Sequence, residues 1–325
     1  MRQWSECENK MVSTERMIEF ISDIDIEPQR DSDSSLPKDW PSFGRLEFKN
    51  VNLKYKDTDP LILKNISFSV ASGEKIGIVG RTGAGKSSIL TSLFQLYPFD
   101  GSIIIDGMDT TKMPLSVVRS NISIIPQEPM LFSGTMRKNL DPFGDYDKDE
   151  IIWDALEQVE LKATVQKLSS GLDTPVTSSG SNFSVGEKQL ICLARALIRR
   201  NKILVLDEAT ANVDPYTDSL IQKTIRNKFS KCTILTIAHR LNTVMDSDKI
   251  LVMKNGEVSE FDDPYSLLNN GGLLRDLILS TGETMSKKLE LVAEENFNRK
   301  NISEKKKTSE AVEKQVIEHT EWTLL

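Results

Sequence analysis

The chain has 325 residues, room for one large domain or two small ones at about 150 residues each. Its 48 Asp and Glu outnumber 41 Lys and Arg, and the resulting charge of −7 argues against sequence-blind nucleic-acid binding, which needs surplus cations. Three scattered cysteines, Cys7, Cys192 and Cys232, imply no disulfide framework. The longest apolar run, Leu190 to Ala194, has five residues, far below the ~20 that cross a bilayer, and no secretory signal is visible. The expectation is a soluble, intracellular chain whose thiols are buried in a reducing cytosol.

In chain order, Trp4, Cys7, Met11, Thr14, Ile18 and Ile21 recur at a 3–4 spacing, which predicts an amphipathic helix over 1–27 that Pro28 ends. Two heptads cannot sustain a coiled coil alone, so this stripe is expected to rest on another surface of the chain or of a neighbour. The polar segment 28–43, rich in Asp, Ser and Pro, reads as a linker. From Arg45 the period becomes two. Leu46, Phe48, Val51, Leu53 and Tyr55 fit an edge strand with a bulge near Asn50, and Ile66, Phe68 and Val70 fit a second strand. Apolar strands follow at KIGIVG, Ile103–Ile105, Ile122–Ile125, Ile203–Leu206 and Thr233–Ile237. Helices are expected after the first of these and near 148–160, 184–199 and 215–228. Such alternation indicates an α/β protein with a mainly parallel sheet covered on both faces. KILVMK and GEVSEF, joined at Asn255-Gly256, form a hairpin with a type I′ turn. The tail 283–325 carries 17 charged residues among 43, so it is expected to be disordered or a loose helix.

Gly80-Arg81-Thr82-Gly83-Ala84-Gly85-Lys86-Ser87 is the P-loop pattern, with a strand before it and a helix after it. Gly83 and Gly85 let the backbone wrap a phosphate, so that several N–H groups and the positive helix end face the anion. Lys86 supplies a point charge to the β- and γ-phosphates, and the Ser87 hydroxyl suits Mg2+. In ILVLDEAT, four apolar residues end in Asp207 and Glu208 at the carboxyl end of a buried strand, where open α/β sheets place ligands. Asp207 is expected to hold Mg2+ through water, and Glu208 to orient and deprotonate the attacking water.

The order of these motifs resembles the ATP-binding cassette family over about residues 40–282. Ser184-Val185-Gly186-Glu187 stands where that family carries its signature, and Gln127 in IIPQEP matches its Q-loop glutamine. Asp214 matches the D-loop, His239 in TIAHR the switch histidine, and Tyr55 the aromatic that stacks on adenine. The resemblance implies a P-loop NTPase over 44–282, with a RecA-like mainly parallel sheet, an antiparallel β subdomain and a helical signature subdomain over about 128–200. It also implies that ATP and Mg2+ are bound by the loop from Gly80 through Ala84 to Ser88, with Gln127 and Asp207 on the metal. SGTMRKNLDPF, GSNFSVGEKQL, DEATANVDP and TIAHRLNT narrow the likeness to the second nucleotide-binding domain of the C subfamily, the multidrug-resistance-associated exporters, and within it to the short members. Residues 1–27 would then extend a transmembrane domain outside this chain. The implied partners are transmembrane domains and a second cassette with an intact signature, at the cytoplasmic face of the plasma membrane. Thr323-Leu324-Leu325 resembles a PDZ-domain ligand.

Two residues depart from the family signature Leu-Ser-Gly-Gly-Gln. Val185 replaces a glycine, as is usual in the second domain of the C subfamily, and Glu187 replaces the glutamine, adding a charge that is unfavourable near nucleotide unless neutralised. The resemblance therefore implies an asymmetric pair, with hydrolysis at this chain's own P-loop and a weak signature offered to its partner. Two other readings compete with an exporter engine. One is a soluble cassette ATPase of translation or DNA repair, and the acidic balance and single cassette weigh against it. The other is a slow regulatory nucleotide-binding module, and Glu208 and His239 weigh against that.

Overall fold

The computed structural model describes residues 2–23, 27, 30, 37, 39–56, 58–146, 148–177, 180–207, 213–238 and 240–299. A six-stranded sheet forms its centre. It is built from β3 (Lys75–Gly80), β6 (Ile122–Ile125), β9 (Ile203–Asp207), β10 (Thr233–Ile237), β11 (Lys249–Lys254) and β12 (Glu257–Asp262), in the spatial order β12-β11-β3-β10-β9-β6. Every neighbouring pair is parallel except β11–β12, whose Asn255-Gly256 turn has φ of 52° and 83°, the two positive angles of the expected type I′ hairpin.

A second, antiparallel sheet is ordered β2-β1-β4-β5, from β1 (Leu46–Leu53), β2 (Leu63–Val70), β4 (Phe99–Ile105) and β5 (Met108–Asp109). Two sequence expectations are corrected here. β1 is internal rather than an edge strand, because β4 returns to pair along its free side. Ile103–Ile105 therefore belongs to this antiparallel sheet and not to the parallel one. Its half-exposed alternation is the sign of a sheet covered on one face only. The bulge at Asn50 is present, as a register shift between Phe48 and Val51.

Three cores pack against the central sheet, the third beneath the C-terminal helices. Ile76, Ile78, Ile203, Val205, Leu235 and Ile237 face the antiparallel sheet and α2 (Lys86–Leu93). Leu204, Leu206, Ile125 and Ile234 face the helical layer. Each such side chain contributes roughly 1.5–3 kcal/mol on burial. α3 (Leu115–Ser120) joins the first of these cores through Val118, while the helical layer holds α4 (Met136–Leu140), α5 (Asp149–Gln158), α6 (Lys162–Lys167), α7 (Val185–Arg199) and α8 (Pro215–Lys228), with a short ladder of β7 (Gly134–Thr135) and β8 (Pro175–Val176). Arg137 of α4 pairs with Asp149 at the start of α5, where the guanidinium holds that carboxyl below its usual range.

The ends follow expectation only in part. α1 (Arg2–Asp23) forms, but from Met11 onward each of its side chains is exposed, so among the described residues the apolar stripe there has no surface to rest on. Trp40, read as part of the linker, is buried and donates from Nε1 to the Ile105 carbonyl at 3.2 Å, joining the core beneath the antiparallel sheet. The region after 282 opens as a packed helix, α11 (283–299), preceded by α9 (Pro264–Asn270) and α10 (Leu273–Leu279). Leu289 and Ala293 are buried with Val79, Ala238 and Val244, and Phe297 stacks on Tyr265 at 4.8 Å. The PDZ-like terminus at Thr323–Leu325 lies outside the described residues.

Leu289 is buried yet borders a cavity, so its replacement removes less packing than a fully enclosed leucine would. Leu289→Ala is expected to cost about 2 kcal/mol, the low end for such truncations, read as a lower urea midpoint with an unchanged m-value.

Candidate functional site

β3 delivers the P-loop. It ends at Gly80, and after a turn in which the Ala84 N–H donates to the Arg81 carbonyl at 3.0 Å, α2 begins at Lys86. Gly85 is the residue before that helix and sits at φ 98°, a left-handed conformation that disfavours any side chain. Arg81, Thr82 and Gly83 form the exposed tip, while Ala84 is buried. The type I′ turn braces the loop from behind, since the Gly256 N–H donates to the Ala84 carbonyl at 3.1 Å. Lys86 is nearly enclosed, and its Nζ donates to the carbonyls of Gly80 at 2.9 Å and Arg81 at 3.3 Å. A buried ammonium must be satisfied in this way, and the arrangement keeps the charge at the mouth of the loop.

Register fixes the rest of the site. Ile237 of β10 is level with both Ile78 of β3 and Asp207 of β9. Two strand spacings, about 10 Å, therefore separate the P-loop strand from the one that ends in Asp207. On the far side of β9, Ile125 of β6 is level with Leu206, which brings Gln127 to the same carboxyl edge. Ser87 and Gln127 are exposed there and Asp207 is half-buried. A hydroxyl, an amide oxygen and a carboxylate are all hard oxygen donors, and this set fits Mg2+, which keeps several waters and shares phosphate oxygens rather than filling a protein cage. Glu208 and His239 lie outside the described residues. A cavity of about 800 Å3 opens beside the loop, between Gly80 to Thr82, Arg240 to Asn242, and Met285 and Leu289 of α11.

Ser184, Gly186 and Asp214 form a second group. Ser184 caps α7 in a reciprocal box: its Oγ accepts from the Glu187 N–H at 3.2 Å, while the Glu187 carboxylate accepts from the Ser184 N–H and Oγ at 2.9 Å each. The charge that replaces glutamine is thus spent on the positive end of a helix. Val185 at the first helical position is 45% exposed and points away from the core. Gly186 is small because α8 is close: a Cβ there would lie 3.2 Å from Thr217 and 3.4 Å from Asp214. Asp214 caps α8, accepting from the Tyr216 and Thr217 N–H groups at 3.1 and 3.0 Å.

Tyr55 follows β1, and its hydroxyl shares a hydrogen bond of 2.9 Å with Ser88 of α2. Sequence reasoning missed two residues around these groups. Tyr97 packs edge-to-face on the Tyr55 ring, with centroids 4.8 Å apart. Gln189, buried on α7, donates from Nε2 to the carbonyls of Pro126 and Gln127 at 3.1 and 3.2 Å. Neither carries a motif signal: Tyr97 becomes visible only from strand register, and Gln189 reads as one more helical residue.

The comparisons agree with this geometry. Residues 63–211 match the ABC transporter family. The chain is 54% identical over 270 residues to ATP-binding cassette sub-family C member 4 of Homo sapiens, covering 83% of this chain and 20% of that protein. It is 50% identical over 304 residues to ABC transporter C family member 12 of Dictyostelium discoideum, covering 93% of this chain and 23% of that one. The chain carries a nucleotide-binding domain of the ATP-binding cassette family, C subfamily. This cassette also matches a solved structure described as a bacterial Atm1-family ABC exporter with ATP bound, with a TM-score of 0.75 and 32% identity over 85% of this chain and 48% of that one. The fold is that of the ABC ATPases, a P-loop NTPase with the antiparallel and helical additions described above. The cassette spans about a fifth to a quarter of the length of these curated relatives.

The Asp214 cap has a pH signature. Hydrogen bonds from Thr217, then from the Tyr216 amide, hold its carboxyl below the ordinary aspartate range. A carboxyl depressed in the folded state adds stability that is fully present above its unfolded value near 3.9 and is lost as pH falls through the lower folded value. Asp214→Asn keeps the cap acceptor but cannot titrate, so its stability difference from the parent should be full above the ordinary aspartate range and shrink as the pH is lowered below it, measured by urea midpoints against pH.

Proposed function

We propose that this cassette binds MgATP, hydrolyses its terminal phosphate bond and, paired with a second cassette, powers an exporter of amphipathic organic anions and conjugates. The observation that carries the reading is the shared carboxyl edge, where one sheet register holds the P-loop, Asp207 and the approach to Gln127 together. Backbone N–H groups between Arg81 and Ser87 cradle the phosphates, and Lys86 exchanges its two carbonyl partners for β- and γ-phosphate oxygens. Ser87, Gln127 and, through water, Asp207 hold Mg2+, which when bound neutralises charge on the phosphates. Glu208 orients the attacking water and takes its proton, His239 contacts the γ-phosphate, and Tyr55 stacks on the adenine.

Ser184, Gly186 and Asp214 act on nucleotide held by the partner cassette. Because Glu187 is committed to the α7 cap, its charge reaches that nucleotide already balanced by a helix end. Partner transmembrane domains are supported by a groove of about 300 Å3 beside Gln127, bordered by the exposed Ile124, Met130 and Phe132. A large apolar lining of this kind suits a helix laid against it. The complex would work at the cytoplasmic face of the plasma membrane. Thr323–Leu325 would offer a PDZ domain a carboxyl-terminal ligand.

Titration calorimetry of MgATP into the full chain tests the core of this reading. Lys86→Ala should weaken binding by roughly tenfold or more, the worth of a charge-assisted contact, whereas Glu208→Gln should bind normally, fail to hydrolyse and accumulate an ATP-bound dimer. Unchanged affinity in Lys86→Ala would remove the P-loop from the account. Fast hydrolysis by strictly monomeric chain would remove the need for a signature supplied by a partner.

A further inference from the structure

The base-binding aromatic sits where the ladder between β1 and β4 has just ended. That ladder closes with Leu53 opposite Phe99. Counting two residues onward along β1 and two back along β4 sets Tyr55 opposite Tyr97, and their rings meet edge-to-face with centroids 4.8 Å apart at 71°. An isolated exposed tyrosine beyond a strand end would sample several rotamers, at a cost in side-chain entropy whenever a ligand needs one of them. Here the ring is held at two points. Tyr97 fixes its body, and Ser88 of the P-loop helix fixes its hydroxyl at 2.9 Å. Tyr97 is itself positioned by chain geometry: it lies between the end of α2, closed by the Leu96 N–H donating to the Thr91 carbonyl at 3.0 Å, and the first residue of β4.

Both rings keep substantial surface in water, 37% for Tyr55 and 44% for Tyr97. Burial in the core therefore does not explain the pair. What it does provide is a pre-set aromatic platform tied to the same helix whose first turn carries Lys86 and Ser87. We propose that Tyr97 is a positioning residue for Tyr55, and that it sets the affinity of this site for the nucleotide base without contributing to its grip on the phosphates. The inference rests on the reading of Tyr55 as the adenine platform. It adds that the platform is held ready before the base arrives, by a residue that touches neither base nor phosphate. The ordering cost of Tyr55 is met during folding, so removing Tyr97 transfers that cost to binding.

The test compares MgATP with inorganic tripolyphosphate, which has the phosphates and no base, by calorimetry on the full chain. Four variants are needed: Tyr55→Ala, Tyr97→Ala, Tyr97→Phe and the double Tyr55→Ala/Tyr97→Ala. Tyr97→Ala should weaken MgATP by roughly 3- to 10-fold, the worth of an aromatic pair, and leave tripolyphosphate within twofold. Tyr97→Phe keeps the ring and should bind both as the parent does. The double variant should be no weaker toward MgATP than Tyr55→Ala alone, because the two rings act through one another. If Tyr55→Ala loses MgATP affinity and Tyr97→Ala does not, the positioning role is overturned and the platform stands. If Tyr55→Ala loses nothing, the platform falls and the positioning role with it. An equal loss of MgATP and tripolyphosphate in Tyr97→Ala assigns Tyr97 to general support of the loop and overturns the proposal. An unfolded Tyr97→Ala shifts the decision to Tyr97→Phe and Tyr97→Leu. Parent affinity in the first with loss confined to MgATP in the second supports the role, and parent affinity in both overturns it.

Discussion

Everything at the phosphate end of this molecule depends on the parallel register of β3, β10, β9 and β6. Of these, β3, β10 and β9 are sealed on both faces, with Ile76, Ile78, Ile203, Val205 and Leu235 fully buried on one side and Leu204 on the other. Side chains alternate between faces, so a slip of one residue would exchange the two sets and advance a strand by about 3.3 Å. For β9, a slip inward by one residue would carry the Asp207 carboxylate from the level of Ile237 to that of Thr236, the place Leu206 now fills beside the helical core, where burying a charge is costly. The register that packs the core and the register that presents Asp207 are therefore one and the same. The site needs no separate device to hold its strands level.

α7 is the second organiser, and it works through polar contacts. Gln189 holds the backbone of Pro126 and Gln127, and six residues on, the guanidinium of Arg195 donates to the Met130 carbonyl at 2.8 Å and to Asn139. Arg195 is largely buried, and burial pulls its pKa down, so these acceptors are what keep a cation acceptable there. Cys192 beside it is an inert thiol, its pKa pushed up by burial. The segment 126–132 is thus fastened at both ends to the helix that begins at Ser184. A displacement of that segment must move α7 with it, or break these hydrogen bonds. On the proposed reading, the approach to the metal and the signature offered to the partner are two ends of one lever.

The legible parts of the sequence were those with a short-range signal. Strand periods, helix spacing, the Asn255-Gly256 turn and the P-loop each declare themselves within a dozen residues, and each stands in the structure where the residues indicated. Partner strands leave no such trace. Nothing local in LEFKNVNL says that β4 will close its second side, so β1 read as an edge and Tyr97 drew no reading. Charge hid the opposite case: Leu289, Val292 and Ala293 recur at helical spacing, but they stand amid lysines and glutamates that pointed to disorder. Glu187 stood out in the sequence for its charge beside nucleotide. Its capping partner Ser184, three residues away, was equally visible, and the cap is what settles where that charge resides.

Two surfaces stand apart from this economy of burial. On α1, Met11, Met17, Ile18, Phe20 and Ile21 are exposed, and beside Gln127 so are Ile124, Met130 and Phe132. Elsewhere the same residue types fill cores so completely that many have no accessible surface, hence the contrast is not a general looseness of packing. Scattered apolar residues on a surface need no explanation, but these are large, grouped and borne on helices or beside a groove. Placing them in water gives up the stabilisation that burial of each would bring. On the proposed reading, these residues, kept outside the chain's own three cores, are the apolar contacts that transmembrane partners would cover. The groove adjoins the segment that α7 clamps. On the same proposed reading, a helix seated there would push on Gln127 and on Ser184 together, which gives a membrane partner and an ATP site a physical means of depending on each other.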